Sequence, residues 1–195
     1  MAKKTKVIDK WKLKTWFPVL APPLFEQQEI GEVAANEERH IVNRVLRVGL
    51  NELISSGSQN AFFTTLQFRV IGVEGGKGKT ALIGHEVSPS YIRTFARRGK
   101  TLLHMNVDVQ TKDEQELRIK VIAITAGRIS ETTIRNTRKV IIENVIEQAR
   151  PLTYDELMQA ILYGRFVSHL YNAAKKITAM RRVEIRKTEK KEVFT

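Results

Sequence analysis

Residues 102–125 read LLHMNVDVQTKDEQELRIKVIAIT, in which two alternating segments flank a polar loop. Apolar residues occupy every second position from Met105 to Val109 and again from Leu117 to Val121. A period of two is typical of strands that bury one face, so the stretch predicts a hairpin between residues 102–110 and 116–125. We therefore expect a β-sheet at the centre of the fold.

More strands are predicted on the N-terminal side of this hairpin. Residues 61–73 alternate and predict a long strand, residues 75–79 are rich in glycine and predict a turn, and residues 80–87 predict the returning strand. The apolar, β-branched character of residues 40–54 predicts another strand. Three prolines within residues 17–25 exclude a helix and favour an extended or edge segment.

The C-terminal part carries helix signals. Ser130 predicts the N-cap of a helix that ends at Pro151, and Thr153 with Glu156 predicts a capping box for a second helix. An alternating segment that begins near Met180 predicts a last edge strand.

This order of elements predicts an α+β protein with a β-barrel-like antiparallel body, flanking C-terminal helices and a basic N-terminal arm. The chain has 195 residues, of which 42% are hydrophobic, a size that favours one domain. We expect residues 1–16 to form the arm, residues 17–186 a single α+β domain, and residues 187–195 a charged tail.

The balance of charges predicts a polyanionic partner. Lys and Arg number 33 against 21 Asp and Glu, the formal net charge is +12, and the pI is about 10.0. Such a surplus repels itself in a compact protein, and contact with phosphates relieves the repulsion and releases counterions. Nucleic acid is the expected partner.

Several classes of function are disfavoured by composition. The chain contains no cysteine, which excludes disulfides, thiolate zinc sites and cysteine nucleophiles. No run of about 18 apolar residues occurs, so we expect a cytoplasmic protein without a membrane partner. The four histidines lack the spacing of a local metal site, and no nucleophile motif is present. We expect no catalytic residues, no metal and no cofactor.

Residues 72–80 read GVEGGKGKT and end in the Gly-Lys-Thr of a nucleotide-binding P-loop. The required first glycine falls on Val73, and the following residues predict a strand where a P-loop opens a helix. A hairpin tip whose Lys77 and Lys79 reach a phosphate backbone is the favoured interpretation, with a solvated turn as the alternative.

The N-terminal segment is predicted to bind RNA phosphates through its lysines, while tryptophan can stack on bases or fasten the segment to the body. The candidate residues are Lys3, Lys4, Lys6, Lys10, Lys12, Lys14 and Trp16. A merely solubilising tail is the alternative.

Arginine clusters mark two loops and the start of a helix. Arginine binds phosphate with two parallel hydrogen bonds and stacks on bases, so these clusters predict one phosphate-binding surface. The candidate residues are Arg97, Arg98, Lys100, Arg128, Arg135, Arg138 and Lys139. Ordinary solvated faces, with pairing to Glu131 or Glu143, are the alternative.

Three further stretches carry a family resemblance. They are KTWFPVLAP at 14–22, followed by Phe25 and Ile30-Gly31; NRVLRVGLNEL at 43–53; and HMNVDVQTKD at 104–113, with the strand up to Arg128. Together they resemble the small-subunit ribosomal protein of archaea and eukaryotes that is often called S-three-A-e, and the chain is archaeal in size.

The resemblance implies a non-enzymatic, structural constituent of the small ribosomal subunit, on the platform near the mRNA exit and the rRNA 3′ end. It implies small-subunit rRNA and neighbouring ribosomal proteins as partners, with mRNA near the exit as a further one, and a ribosome-bound location in the cytoplasm. The alternatives are an RNA-binding factor that acts off the ribosome and a nucleotide hydrolase.

Overall fold

The computed structural model describes Trp11, residues 14–54 and residues 61–192. The strands in these residues are β1 (Thr15–Leu20), β2 (Glu29–Ala35), β3 (Val45–Gly49), β4 (Thr64–Glu74), β5 (Lys77–Val87), β6 (Leu102–Gln110), β7 (Glu116–Thr125) and β8 (Met180–Lys190). The helices are α1 (Leu50–Leu53), α2 (Pro89–Arg93), α3 (Glu131–Ala149), α4 (Tyr154–Leu162) and α5 (Arg165–Lys175). The predicted α+β class is confirmed.

The chain packs into two compact units. The first comprises residues 1–48 and 67–82, and the second comprises residues 49–66 and 83–195. Strands β4 and β5 each contribute residues to both units. The prediction that the body is a single domain stays a prediction.

In the first unit, β1 lies between β2 and β5. It pairs antiparallel with β2 but parallel with β5, where Val19 lies opposite Gly78. The expected all-antiparallel body is therefore wrong at this ladder. A parallel pair requires a long connection, and here more than fifty residues separate the two strands. Val19 and Val70 are fully buried in the core of this unit.

The hairpin between β4 and β5 is confirmed. Gly75 and Gly76 have φ values of 58° and 75°, the left-handed conformation that a type I′ hairpin turn requires at both central positions. The predicted strand over residues 40–54 is shorter than expected, because Asn43 has a φ of 67° and the chain turns into α1 after β3.

In the second unit the strand order is β5-β8-β7-β6, and every ladder is antiparallel. The predicted hairpin of β6 and β7 is confirmed, with Leu102 opposite Ile124 and Gln110 opposite Glu116. Its buried positions alternate along β6 as the sequence predicts. Helix α3 packs against β6, and α5 packs against both α3 and β8.

Strand β8 lies inside the sheet between β5 and β7, so the prediction of an edge strand was wrong. Val183, Ile185 and Thr188 are buried. Lys187, which the sequence assigned to the charged tail, forms ion pairs with Glu86 (3.6 Å) and Glu189 (2.7 Å). Glu86 of β5 pairs with Lys187 and Lys120 of β7 pairs with Glu189, and these cross-strand pairs offset charges that β8 carries at its inner position.

Both predicted helix starts are confirmed. The Thr133 amide donates to Ser130 Oγ at the start of α3, and Thr153 and Glu156 form the capping box of α4. The second predicted helix divides into α4 and α5 at Gly164, whose φ of 78° ends one helix and begins the next.

Within the described residues the strand ladder ends at β2 in the first unit and at β6 in the second, so the sheet is open. The expected barrel-like closure is not observed. The boundaries predicted at residues 17 and 187 fall inside β1 and β8, so strand structure extends beyond both. The basic arm falls largely on residues 1–10, 12 and 13, which lie outside the described residues.

Candidate nucleic-acid interface

One end of the second-unit sheet gathers positive charge. β6 begins, β7 ends and β8 begins at this end, because antiparallel neighbours place Leu102 opposite Ile124 and Ile124 opposite Arg182. We call the cations of the three adjoining segments the basic rim. They are Arg97, Arg98, Lys100, Arg128 and Arg181.

Backbone hydrogen bonds hold the segments of the rim together. The Thr101 amide donates to Thr125 Oγ1 (3.0 Å), and the Thr125 amide donates to the Thr101 carbonyl (3.1 Å). Thr125 Oγ1 in turn donates to the Gly127 carbonyl at 2.5 Å. The Ala126 amide donates to the Ala179 carbonyl at 2.9 Å, which joins the third segment. The rim is thus built on ordered backbone.

Three cations of the rim, Arg97, Lys100 and Arg181, lie close enough to repel one another. Partial desolvation lowers the pKa of Lys100, and the nearby charges of Arg181 and Arg97 lower it further. No carboxylate of the described residues lies within 4.0 Å of any rim cation in an ion pair. Crowded cations of this kind attract a polyanion, because phosphates relieve the repulsion between them.

Several cations elsewhere in the sheet form ion pairs. Arg118 donates two hydrogen bonds to Asp108, at 2.7 and 2.9 Å. At the end opposite the rim, Lys191 pairs with Glu116 at 2.9 Å. Lys120 pairs with Glu189 at 2.9 Å. The rim differs from these positions, because no described carboxylate pairs with its cations.

The candidate cations on α3 divide into two kinds. Arg135 lies 3.8 Å from Glu131 and Lys139 lies 3.9 Å from Glu143, each one helical turn away. Such exposed pairs contribute little to stability, and both fit the interpretation of a solvated helix face. Arg138 is exposed and forms no ion pair with a described residue. Of the α3 candidates, Arg138 most resembles the rim cations.

The remaining described candidates belong to the first unit. At the tip of the β4–β5 hairpin, Lys79 is paired with Glu74, while Lys77 is exposed. The Lys14 ammonium lies 3.7 Å from the centre of the Trp11 ring, and Trp16 is 63% exposed. The other candidates, Lys3, Lys4, Lys6, Lys10 and Lys12, lie outside the described residues.

Sequence reasoning missed Arg181. Its signal was the Arg181-Arg182 pair directly before an alternating strand, but periodicity alone does not show that this strand starts beside residues 97–100. The register of β8 on β7 brings Arg181 to the rim.

The nucleotide-binding alternative fails on geometry. A P-loop needs a helix directly after its lysine, and β5 runs from Lys77 to Val87 as a strand. The Lys79 side chain is engaged by Glu74. The motif is a hairpin tip, as predicted.

His85 has the environment of a packed residue. It is 3% exposed, its Nδ1 lies 2.8 Å from Thr188 Oγ1, and its Nε2 lies 3.3 Å from the Ile185 carbonyl. A carbonyl oxygen only accepts, so the contact at Nε2 requires an Nε2–H. Burial lowers the pKa of His85 to about 4. A cavity of about 280 Å³ lies beside it.

The described residues contain no group of three or more His, Asp or Glu side chains that could hold a metal ion. None of the helices they form is both long enough and apolar enough to cross a membrane.

Comparison with known proteins gives a consistent result. Residues 2–192 match the Ribosomal S3Ae family. Small ribosomal subunit protein eS1 of Sulfurisphaera tokodaii is 37% identical over 189 residues, which cover 97% of each chain. The protein of the same name from Saccharolobus solfataricus is 33% identical and aligns over 96% of this chain and 89% of its own. That from Methanobrevibacter smithii is also 33% identical, over 94% of each chain. These matches confirm the predicted resemblance and show that the protein is a structural, non-enzymatic member of the Ribosomal S3Ae family.

Proposed function

We propose that this protein is a structural constituent of the small ribosomal subunit and that it binds folded rRNA through the basic rim. The relatives that align with nearly the whole chain are named as proteins of that subunit. The observation that carries the proposal is a set of cations without carboxylate partners, of which Arg97, Lys100 and Arg181 lie close together, at one end of a sheet in which Arg118, Lys120 and Lys191 are paired.

The rim suits the phosphate backbone of folded RNA. Its members come from three chain segments, so they present charge over a surface and not along one helix. Four of the five are arginines, which bind phosphate oxygens with two hydrogen bonds. Such contacts fix the position and orientation of a protein on RNA without reading its sequence. The role that follows is positional.

The finer parts of the proposal concern place and partners. We place the protein on the platform of the subunit, near the mRNA exit and the 3′ end of the rRNA, in the cytoplasm. Neighbouring small-subunit proteins and mRNA near the exit are the further partners. The N-terminal lysines, Lys77 and Arg138 are proposed as additional phosphate contacts.

Charge reversal at the rim tests rRNA binding. The double variant Arg97→Glu/Arg98→Glu is expected to weaken association with the small subunit and to reduce the slope of log affinity against log salt by about two, since each lost phosphate contact lowers it by about one. The measurement is reconstitution followed by sedimentation at increasing salt.

Lys112→Glu/Arg150→Glu makes the same change in net charge near the end opposite the rim, and it is expected to leave the slope nearly unchanged. Equal slopes for both double variants would reject the rim as the contact surface. Complete release of the wild-type protein in a high-salt gradient would favour the alternative, an RNA-binding factor that acts off the ribosome.

Directed cleavage tests the placement. Because the chain has no cysteine, a single Ala96→Cys substitution beside the rim gives one attachment point for an iron chelate that cleaves nearby RNA. We expect cleavage close to the 3′ end of the rRNA. Gln159→Cys on α4 is the matched control and should give a different pattern. Cleavage from residue 96 confined to rRNA remote from the 3′ end would contradict the platform position.

A further inference from the structure

An aromatic cluster lies next to the basic rim in the second unit. The rings of Phe63 and Tyr91 are stacked, with centres 4.3 Å apart and planes 8° from parallel. Phe95 meets Tyr91 edge-on, with centres 4.8 Å apart. The Ser88 amide donates to the Phe63 carbonyl at 2.8 Å, which holds the start of β4 beside the start of α2. We call Phe63, Tyr91 and Phe95 the aromatic cluster.

The outer ring of the stack faces solvent. Phe63 is 41% exposed and its neighbour Phe62 is 67% exposed, whereas Tyr91 and Phe95 are half-buried. Exposed aromatic side chains grouped at one place mark a surface that contacts another molecule. A stack that ends in an exposed ring offers a flat face to one further planar group.

The cluster and the rim are connected through β8 and through the loop after α2. The Arg182 guanidinium lies 5.3 Å from the centre of Tyr91 and 4.9 Å from that of Phe95, and it donates to the Tyr91 hydroxyl at 2.5 Å. The residue before it, Arg181, belongs to the rim. Arg97, also of the rim, follows Phe95 by two residues. Flat apolar faces and cations that can bind phosphate are therefore close neighbours.

This combination fits unpaired nucleotides. In an RNA duplex the faces of the bases are covered by their neighbours, whereas single-stranded segments present base faces that stack on aromatic side chains while phosphates meet cations. We propose that the aromatic cluster stacks on an unpaired RNA base through Phe63, while the rim binds the adjoining phosphates. The inference rests on the proposed function, because it takes RNA as the ligand of the rim.

Three RNA probes test the stacking on the full-length protein. They are a short single-stranded oligonucleotide that carries 2-aminopurine, the same oligonucleotide with abasic sites, and a duplex of equal charge. The wild-type protein is expected to bind the base-containing strand about tenfold more tightly than the abasic strand and to quench 2-aminopurine emission. Phe63→Leu keeps an apolar side chain but removes the aromatic face, so it should abolish most of this difference and of the quenching.

Two controls separate stacking from other effects. Tyr163→Leu removes another exposed aromatic ring of the second unit and should leave the difference intact. Arg97→Gln/Arg98→Gln should weaken the binding of all three probes to the same extent. Unchanged affinity of the Phe63→Leu protein for the duplex shows that the variant is folded and that its rim is intact.

The outcomes distinguish this inference from the proposed function. Equal affinity of the wild-type protein for base-containing and abasic strands would overturn the stacking, assign the cluster to a protein partner, and leave RNA binding by the rim intact. Loss of affinity for duplex as well as single strands on Phe63→Leu substitution would also reject a stacking role. Failure of the wild-type protein to bind any of the three probes would overturn the stacking inference, and failure to bind small-subunit rRNA as well would overturn both proposals.

Discussion

At the scale of single residues, His85 shows how burial changes the chemistry of a side chain. In the unfolded chain a histidine titrates near its ordinary value of 6.5, whereas burial lowers the pKa of His85 in the folded protein to about 4. The folded state therefore binds a proton less readily than the unfolded state between these two values. The stability that the neutral ring provides is complete above pH 6.5 and is lost as the pH falls towards 4.

We expect the free energy of unfolding to fall by about 3 kcal/mol through His85 as the pH falls from 7 to 4. Urea denaturation at several pH values measures this change. His85→Gln, which cannot gain a proton, should show a flatter pH dependence than the wild-type protein. His104→Gln, at an exposed histidine, should retain the full slope. The same slope in the wild-type and His85→Gln proteins would contradict the assignment.

At the scale of elements, the pairing of β5 with β8 depends on one glycine. A Cβ atom added at Gly84 would collide with the Thr188 carbonyl oxygen and lie 2.9 Å from the Thr188 carbonyl carbon. Gly84 lies opposite Glu189 in this ladder, so the clash falls where the two strands approach most closely. Because the clashing atoms belong to the backbone, rotation of a side chain cannot relieve the clash.

Gly84→Ala is expected to destabilise the protein by about 2–3 kcal/mol, because overpacking forces the two strands apart. Thermal unfolding of the variant measures the loss. Gly72→Ala is the control, since a Cβ there would meet no atom within 4 Å. If both variants lost equal stability, the cause would be the loss of a glycine in a strand and not close packing.

At the scale of the whole molecule, the net charge of +12 does not show which cations can bind a ligand. Among the described residues, some cations are paired with carboxylates and others are not. Arg118 is held by two hydrogen bonds to Asp108, while Arg181 lies among other cations at the basic rim. Net charge alone treats these two arginines as equivalent. Their surroundings predict different roles in RNA binding.

Arg181→Gln is expected to reduce the salt slope of small-subunit rRNA binding by about one, whereas Arg118→Gln should leave the slope nearly unchanged. Filter binding of rRNA at a series of salt concentrations provides the comparison. Each variant removes one positive charge, so the pair is matched in net charge. Equal reductions would show that overall charge, and not the rim, governs binding.

Local patterns in the sequence determined most of the elements. Alternation predicted β6 and β7, the double glycine at residues 75 and 76 predicted the β4–β5 turn, and Ser130 and Thr153 predicted two helix starts. These signals depend on neighbours in the chain, so they can be recognised without the fold. The charge surplus and the three family-like stretches likewise indicated an RNA-binding, non-enzymatic protein.

Only the tertiary structure decided how the elements are joined. The parallel pairing of β1 with β5, the inner position of β8 and the open sheet depend on contacts between distant segments, and alternation shows a buried face without showing which strand lies beside it. The same reason explains the candidate site. The sequence supplied Arg97 and Lys100, but strand register placed Arg181 beside them, and it placed carboxylates from neighbouring strands beside Arg118 and Lys120.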